Sequence, residues 1–324
     1  MRVTVLQGGR SLERGVSLRS GTHVQEALRR AGHEVLALDP GPELVARLRE
    51  QVPDAVFVAL HGSDGENGTV QGLLELLGIP YTGSGPAACV RATDKALAKH
   101  LMGEAGIPTP EFRSFAEESL EGLGLADALG ELERSPGYPL VVKPTHGGSA
   151  LGVKFAADAT ELPNALVAAF SYDDRVVLER YVKGRDLAVS VLDAAGGPAR
   201  GLVPIPEPQV LPVVEAIPRE QDFYAYESRY EIGMTTFVCP AELPEGIAAR
   251  AQQLALETYR LLGCHGVARV DLMLAQESEE PTVLETNVVP GLTETSLLPQ
   301  AADAAGIGFD ALVERILQSA FTRG

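Results

Sequence analysis

Cysteine is scarce in this chain and badly placed for cross-linking. Three thiols, Cys89, Cys239 and Cys264, lie far apart in apolar surroundings. An odd, scattered set excludes a disulfide framework and a zinc site, and it fits a reducing compartment. Positive charge is short too: 27 Lys and Arg stand against 44 Asp and Glu, a formal net charge of −17. Phosphate backbones need a clustered basic surface, so nucleic acid is excluded as a partner and the acidity reads first as solubility. A phosphate-bearing ligand would have to be met by a few local cations and backbone N–H groups. Long apolar runs are missing. The longest, AVFVAL, is far short of a membrane span, and the chain starts directly in strand-like RVTVL without an apolar signal segment. The expectation is a cytoplasmic protein with no membrane contact. Two common nucleotide signatures are also absent: there is no GxxxxGK[ST], and GGRSLERG lacks the G-x-G-x-x-G spacing.

What is present suits two or three packed domains. The chain has 324 residues, 45% of them hydrophobic and 22% charged. MRVTVLQGG alternates and breaks at Gly8-Gly9, and VSLRSGTHVQEALRRAG follows with helical spacing of Leu18, Val24 and Leu28. HEVLALD, a helix through ELVARLREQ, and DAVFVAL come next. Short apolar runs alternating with helices predict βαβ units around a parallel sheet, with ligand loops at the carboxyl ends of the strands. A helical stretch, PAACVRATDKALAKHLMGEAG, leads through IPTP to a second domain. That domain holds YPLVVKP, a glycine-rich loop, and the strands RVVLERYV and DLAVSVLDA. The Pro-rich passage LVPIPEPQVLPVVEAIPRE, before the aromatic DFYAYESRY, reads as a long functional loop. The helix PEGIAARAQQLALETYRLLG opens the last segment.

Two features carry chemistry. In VVKPTHGGSALGVKF, residues 141–155, Lys143 closes an apolar strand, where a charge needs a reason. The small-residue loop after it can offer backbone N–H groups to phosphate. The second feature is VARVDLMLAQESEEPTVLETNVVPG, two strand-like runs around a polar turn. Arg269, Asp271 and Met273 share one face of the first run; Glu285 and Asn287 alternate with Leu284 and Thr286 in the second. A turn symmetric about Ser278 sets Asp271 opposite Glu285 and Arg269 opposite Asn287. Opposed carboxylates destabilise a sheet unless a cation lies between them. Two carboxylates and an amide oxygen on one face form a hard-oxygen set suited to Mg²⁺ carried in with nucleotide phosphates.

With these residues in view, the chain resembles the ATP-grasp ligases, and within them the D-alanine–D-alanine ligase family. The matching stretches are GGRSLERGVSLRSG, LHGSDGENGTVQGLLELLGIPYTGSG, DKALAK, VVKPTHGGSALGV, FYAYESRY, GCHGVARVDLML and LETNVVPGLTETSLLPQ, in family order from residue 8 to about residue 310. The resemblance implies an α/β, three-domain ATP-grasp ligase fold. An N-terminal Rossmann-like parallel-sheet domain (1–92) would bind substrate. Two α+β domains (93–185 and 186–324) would enclose ATP, with a lid loop at about 205–235. It implies ATP as co-substrate, Mg²⁺ (or Mn²⁺), D-alanine as substrate, a homodimer, and a role in making peptidoglycan precursors. A sister ligase joining D-alanine to another D-amino or hydroxy acid is the alternative. By the same resemblance Lys95 and Lys143 hold phosphates, Glu179 contacts the base and Asp186 the ribose. Asp271, Glu285 and Asn287 bind metal, while Arg269 and the Gly291 amide face the developing oxyanion. Glu13, Ser149 and Tyr230 form a hydrogen-bonded set around the first amino acid. His61 belongs to the first substrate; Ser296 and Leu297 belong to the second. The resemblance extends the first-substrate set from His61 to Asp64 and Glu66.

Several positions depart from the family pattern. Gly15, Gly147, Ala150, Ala225, Arg229 and Val288 stand where glutamate, glutamate, serine, aspartate, lysine and threonine are usual. None removes a metal ligand or a phosphate lysine. Losing acids around the lid bears on the identity of the second substrate more than on the class of reaction.

Overall fold

The apolar runs at the N-terminus form strands joined by helices, as their alternation requires. In a computed structural model, which describes residues 1–193, 207–218 and 235–323, β1 (Arg2–Leu6), β2 (Glu34–Leu38) and β3 (Ala55–Val58) make a parallel sheet ordered β2-β1-β3. Helices α1 (Arg14–Arg30) and α2 (Leu44–Gln51) are its crossovers, and α3 (Ser63–Glu66) and α4 (Thr69–Leu77) follow β3. At the carboxyl end of β1, Gly8 and Gly9 hold φ of +93° and +80°, a turn that a Cβ would strain. One face of the sheet packs Leu6, Leu38, Val56 and Leu60 against Leu48 and Leu74 of its own helices. The other face, with Val3, Val5 and Phe57, shares a core with Leu312, Val313 and Ile316 near the far end of the chain. Each such aliphatic side chain stabilises the fold by roughly 1.5–3 kcal/mol.

The helical stretch after this unit is two helices, not one. Asp94 breaks it with extended backbone and accepts the Leu97 N–H at 2.9 Å, so α5 (Pro86–Thr93) ends and α6 (Lys95–Glu104) begins at an N-cap. The break sets Lys95 at the first position of a helix.

Two antiparallel sheets follow. The first orders β4 (Phe112–Ala116), β5 (Leu140–Pro144), β6 (Lys154–Ala156) and β7 (Arg175–Arg180) as β4-β7-β5-β6, with α7 (Glu118–Gly122) and α8 (Leu162–Phe170) beside it. The second contains β8 (Gly184–Leu192), β9 (Gln209–Val210), β10 (Val214–Pro218), β11 (Thr235–Val238), β12 (Val267–Ala275) and β13 (Pro281–Asn287). Its order is β11-β10-β8-β12-β13, with β9 on β8. Helix α9 (Glu245–Leu262), together with α5 and α6, covers one face through Leu254, Leu262, Cys89 and Met102. Helices α10 (Leu297–Ala304) and α11 (Phe309–Gln318) complete the chain.

The Pro-rich passage is not wholly a loop, and the lid span of about 205–235 contains structure at its start. VEAIP alternates, and its residues from Val214 to Pro218 pair with β8 on one side and β11 on the other. Proline is tolerated there because Pro212 precedes the strand and Pro218 ends it. Residues 219–234, including Ala225, Arg229 and Tyr230, lie outside the described residues. All three thiols are free, and burial pushes those of Cys89 and Cys264 up to about 12, so they stay protonated and inert. Val288 belongs to the apolar core under the six-stranded sheet, where a threonine hydroxyl would need a partner. Among the described residues no helix is long and apolar enough to cross a membrane.

Candidate active site

A cavity of about 440 Å³ opens where the carboxyl ends of the parallel strands meet the two antiparallel sheets. The candidate residues named from the sequence line it, except Ser149, which reaches it through Glu13, Glu66, which stands behind His61, Asp64, which accepts the Ser11 N–H at 3.1 Å, and Tyr230, which lies outside the described residues.

Its central wall is cationic. Lys95 and Lys143 are both buried, as solvated surface lysines would not be. Lys95 Nζ donates to the Gly147 carbonyl at 2.5 Å and stands 3.8 Å from a Glu285 carboxylate oxygen. Lys143, on β5, contacts Glu179 on the neighbouring β7, because Val141 faces Glu179 in the register and Lys143 lies on the same side two residues on. Glu179 is only 2% exposed and has a second cation, Lys99 of α6, 2.8 Å from its other oxygen. Burial works to raise the Glu179 carboxyl, but Lys143 and Lys99 outweigh it and hold the group below its usual range. Burial pushes Lys99 downward, with Glu179 opposing.

Lys99 was not among the residues singled out from sequence. Its signal was present in DKALAK, four positions after Lys95 and so on the same side of a helix.

The metal-type face comes from the β12–β13 hairpin. Arg269 pairs with Asn287 and Asp271 with Glu285, as the alternation required. Nearer the turn Leu272 pairs with Val283, so Leu284 is an extra residue in the second strand. That bulge corrects the expected alternation. Leu284 does not share the face of Thr286; it lines the cavity beside Glu285 and Met273. The like charges are relieved within the chain. Arg269 holds both oxygens of Asp271, at 2.7 and 2.8 Å, and Lys95 lies beside Glu285. Among the described residues no group of three or more His, Cys, Asp and Glu is placed to hold a metal. The two carboxylates and the Asn287 amide fit a hard divalent ion whose other ligands are water and phosphate. Asp186 faces this hairpin from β8, opposite Met273.

The third wall belongs to the N-terminal unit. Glu13, just before α1, is buried and accepts the Ser149 hydroxyl from the glycine-rich loop. Burial first, and then neighbouring Glu66, raise the Glu13 carboxyl above its ordinary 4.5. His61, past the end of β3, lies 3.0 Å from the Ser20 hydroxyl and 3.7 Å from Glu66. Ser20 in turn accepts the Leu292 N–H at 3.2 Å, tying this wall to the loop after β13. Ser20 was missed in the sequence, where it reads as an ordinary helix serine. The first turn of α1 leaves open space beside Gly15, so no neighbour demands glycine there. Ser296 accepts the Thr293 N–H at 3.0 Å and fixes the turn that leads from Gly291 to Leu297.

The loop after Lys143 is held at its root and bent at its tip. His146 donates its backbone N–H to Asp173 at 2.7 Å, and its ring is 3.0 Å from the same oxygen. Ser149 and Ala150 both take left-handed φ, +55° and +57°, which is uncommon without glycine. That bend aims Ser149 at Glu13. Gly147 has φ of +103° with open space where a Cβ would stand, so its conformation, not crowding, favours glycine.

Comparison with known proteins identifies the family. The family model described as D-ala D-ala ligase C-terminus matches residues 101–318, and that for the N-terminus matches residues 42–84. A D-alanine–D-alanine ligase of a Synechococcus strain is 43% identical over 326 aligned positions, covering 100% of this chain and 94% of its own. The structure of the Bacillus anthracis D-alanine–D-alanine ligase complexed with ATP aligns with TM-score 0.79 at 32% identity, covering 99% and 97% of the two chains. A D-Ala:D-Ser ligase structure from Enterococcus faecalis aligns with TM-score 0.81 at 26% identity, covering 99% of each. The three-unit ATP-grasp architecture is therefore the fold, and the chain belongs to the D-alanine–D-alanine ligase family.

Proposed function

We propose that this protein joins two D-alanines into D-alanyl-D-alanine at the expense of ATP, for peptidoglycan precursor synthesis in the cytoplasm. One observation carries the reading furthest. The Asp271–Glu285 pair, with Arg269 and Asn287, faces the same cavity as Lys95 and Lys143. A carboxylate attacking a phosphoryl group brings anion to anion, so catalysis here is mainly charge neutralisation and positioning.

In this reading a carboxylate oxygen of the first D-alanine attacks the γ-phosphorus and ADP leaves. The second D-alanine's amine then attacks the acyl phosphate, loses a proton, and phosphate departs. Lys95 and Lys143 hold the phosphates; Asp186 holds the ribose. Because the Glu179 carboxylate is committed to two lysines, we assign base recognition to the backbone beyond it. Asp271, Glu285 and Asn287 would hold Mg²⁺ (or Mn²⁺), which supplies positive charge to the polyphosphate. Arg269 and the Gly291 N–H face the developing oxyanion, each such donor contributing roughly 3 kcal/mol. Glu13 and His61 orient the first amino acid, with Ser149 and Glu66 behind them; the family resemblance adds Tyr230 to that set, and Ser296 and Leu297 receive the second carboxylate. We place the working units at 1–92, 93–185 and 186–324 and the assembly as a homodimer.

A second reading joins D-alanine to a different D-amino or hydroxy acid. The likeness to a D-Ala:D-Ser ligase favours it, as do the departures at Gly15, Gly147, Ala150 and Ala225. The metal face is tested by Asp271→Asn. Turnover is expected to fall about a hundredfold or more with the melting temperature little changed. Unchanged turnover removes the argument from the opposed carboxylates.

A further inference from the structure

Lys99 does not touch the cavity, yet it is bound to a residue that does. Lys99 is 1% exposed, and its ammonium is 2.8 Å from Glu179 and 2.8 Å from the Thr109 hydroxyl, which accepts from it. The Phe112 ring lies 5.8 Å away on a third side. Glu179 and Lys143, next in the row, line the cavity wall. Burying a lysine is costly, and Glu179 could be neutralised by Lys143 alone. A row of Lys143 and Glu179 sums to zero charge; adding Lys99 makes it +1.

We propose that Lys99 is a positioning residue for the phosphate lysine: by taking one oxygen of Glu179 it leaves the buried Lys99–Glu179–Lys143 row with a net positive charge facing the nucleotide. The inference rests on the ATP-dependent reading above and adds a residue to it. Lys99 acts at one remove. Its substrate-side effect is confined to ATP, and D-alanine, bound near Glu13 and His61, is untouched. The charge count also makes a prediction that a purely structural lysine does not. Removing the anion along with the cation restores the sum, because the +1 of Lys143 is then the row's remaining charge.

Steady-state kinetics on the full chain test this with three proteins: wild type, Lys99→Met, and Lys99→Met combined with Glu179→Gln. Lys99→Met is expected to raise KM for ATP about tenfold while KM for D-alanine stays within about twofold. The double variant is expected to return KM for ATP to within about threefold of wild type. An unchanged KM for ATP in Lys99→Met, a parallel rise in both KM values, or a double variant no better than the single overturns the proposal. If melting curves show that Lys99→Met does not fold, the double variant decides alone, because it buries no charge at either position. KM for ATP within about threefold of wild type supports the row, and a rise of about tenfold refutes it. A wild-type protein with no D-alanine-dependent ATP turnover refutes the functional reading instead. Calorimetric Kd values for Mg²⁺·AMP-PNP on the same proteins then replace KM, with the same expected ratios.

Discussion

Glu13 is a carboxylate whose surroundings oppose its charge, and that opposition has a measurable sign. Burial and Glu66 raise its pKa in the folded state above the ordinary 4.5. A raised carboxyl binds its proton more tightly when folded, so stability is fullest below 4.5 and is lost as pH rises through the folded value. Glu13→Gln keeps an oxygen for the Ser149 hydroxyl and removes the charge. It should therefore melt higher than wild type at pH 7–8, with the gain vanishing at pH values below 4.5, and it should lose activity. Thermal melts at several pH values check this; equal melting at pH 8 would show that Glu13 carries no such cost. At this scale much of the site was legible. Asp271 and Glu285 could be placed opposite each other because strand alternation fixes side-chain faces. Lys99 was not, because its partner Glu179 lies eighty positions on in another element, and a helix lysine read locally is a solvated one. Ser20 was hidden for the same reason.

Elements were readable where local sequence decides them. The stretch around Asp94 reads as one helix because the apolar pattern runs through it unbroken, and the N-cap chemistry of Asp94 is the local mark of the break. The bulge at Leu284 had no such mark, and it changes what the hairpin offers. Two residues of β13, Leu284 and Glu285, occupy the face where alternation supplies one. Leu284 and Met273 give the cavity an apolar wall beside the metal-type face. Leu284→Ala removes part of that wall, about 1 kcal/mol of contact, and should raise KM for ATP about fivefold with kcat little changed. A loss confined to kcat would instead mean that the bulge serves to place Glu285. The reading of the Pro-rich passage as one long loop failed in part for a comparable reason. Proline richness masked an alternating stretch that two neighbouring strands complete as β10.

Three sheets meet at one cavity, and the packing that brings them together was the least legible feature. The parallel sheet and α11 share a core although they stand at opposite ends of the chain, and α5 and α6 pack on the six-stranded sheet beyond them. No local pattern encodes such contacts. They make the whole molecule responsive to what fills the cavity. Mg²⁺·AMP-PNP at a hundred times its Kd should stabilise the fold by about 2.7 kcal/mol, raising the melting temperature by about 5 °C. The same nucleotide with EDTA should raise it much less, since the acidic hairpin face then repels the phosphates. Equal shifts with and without metal would contradict the assignment of Asp271, Glu285 and Asn287.

The most direct test of the account is ADP and phosphate release by the purified protein across a panel of D-amino and D-hydroxy acids, with mass spectrometry of the product. Turnover is expected to depend on D-alanine, to yield D-alanyl-D-alanine, and to be absent with L-alanine. Background turnover with D-alanine, alongside stimulation by another acid, would contradict it.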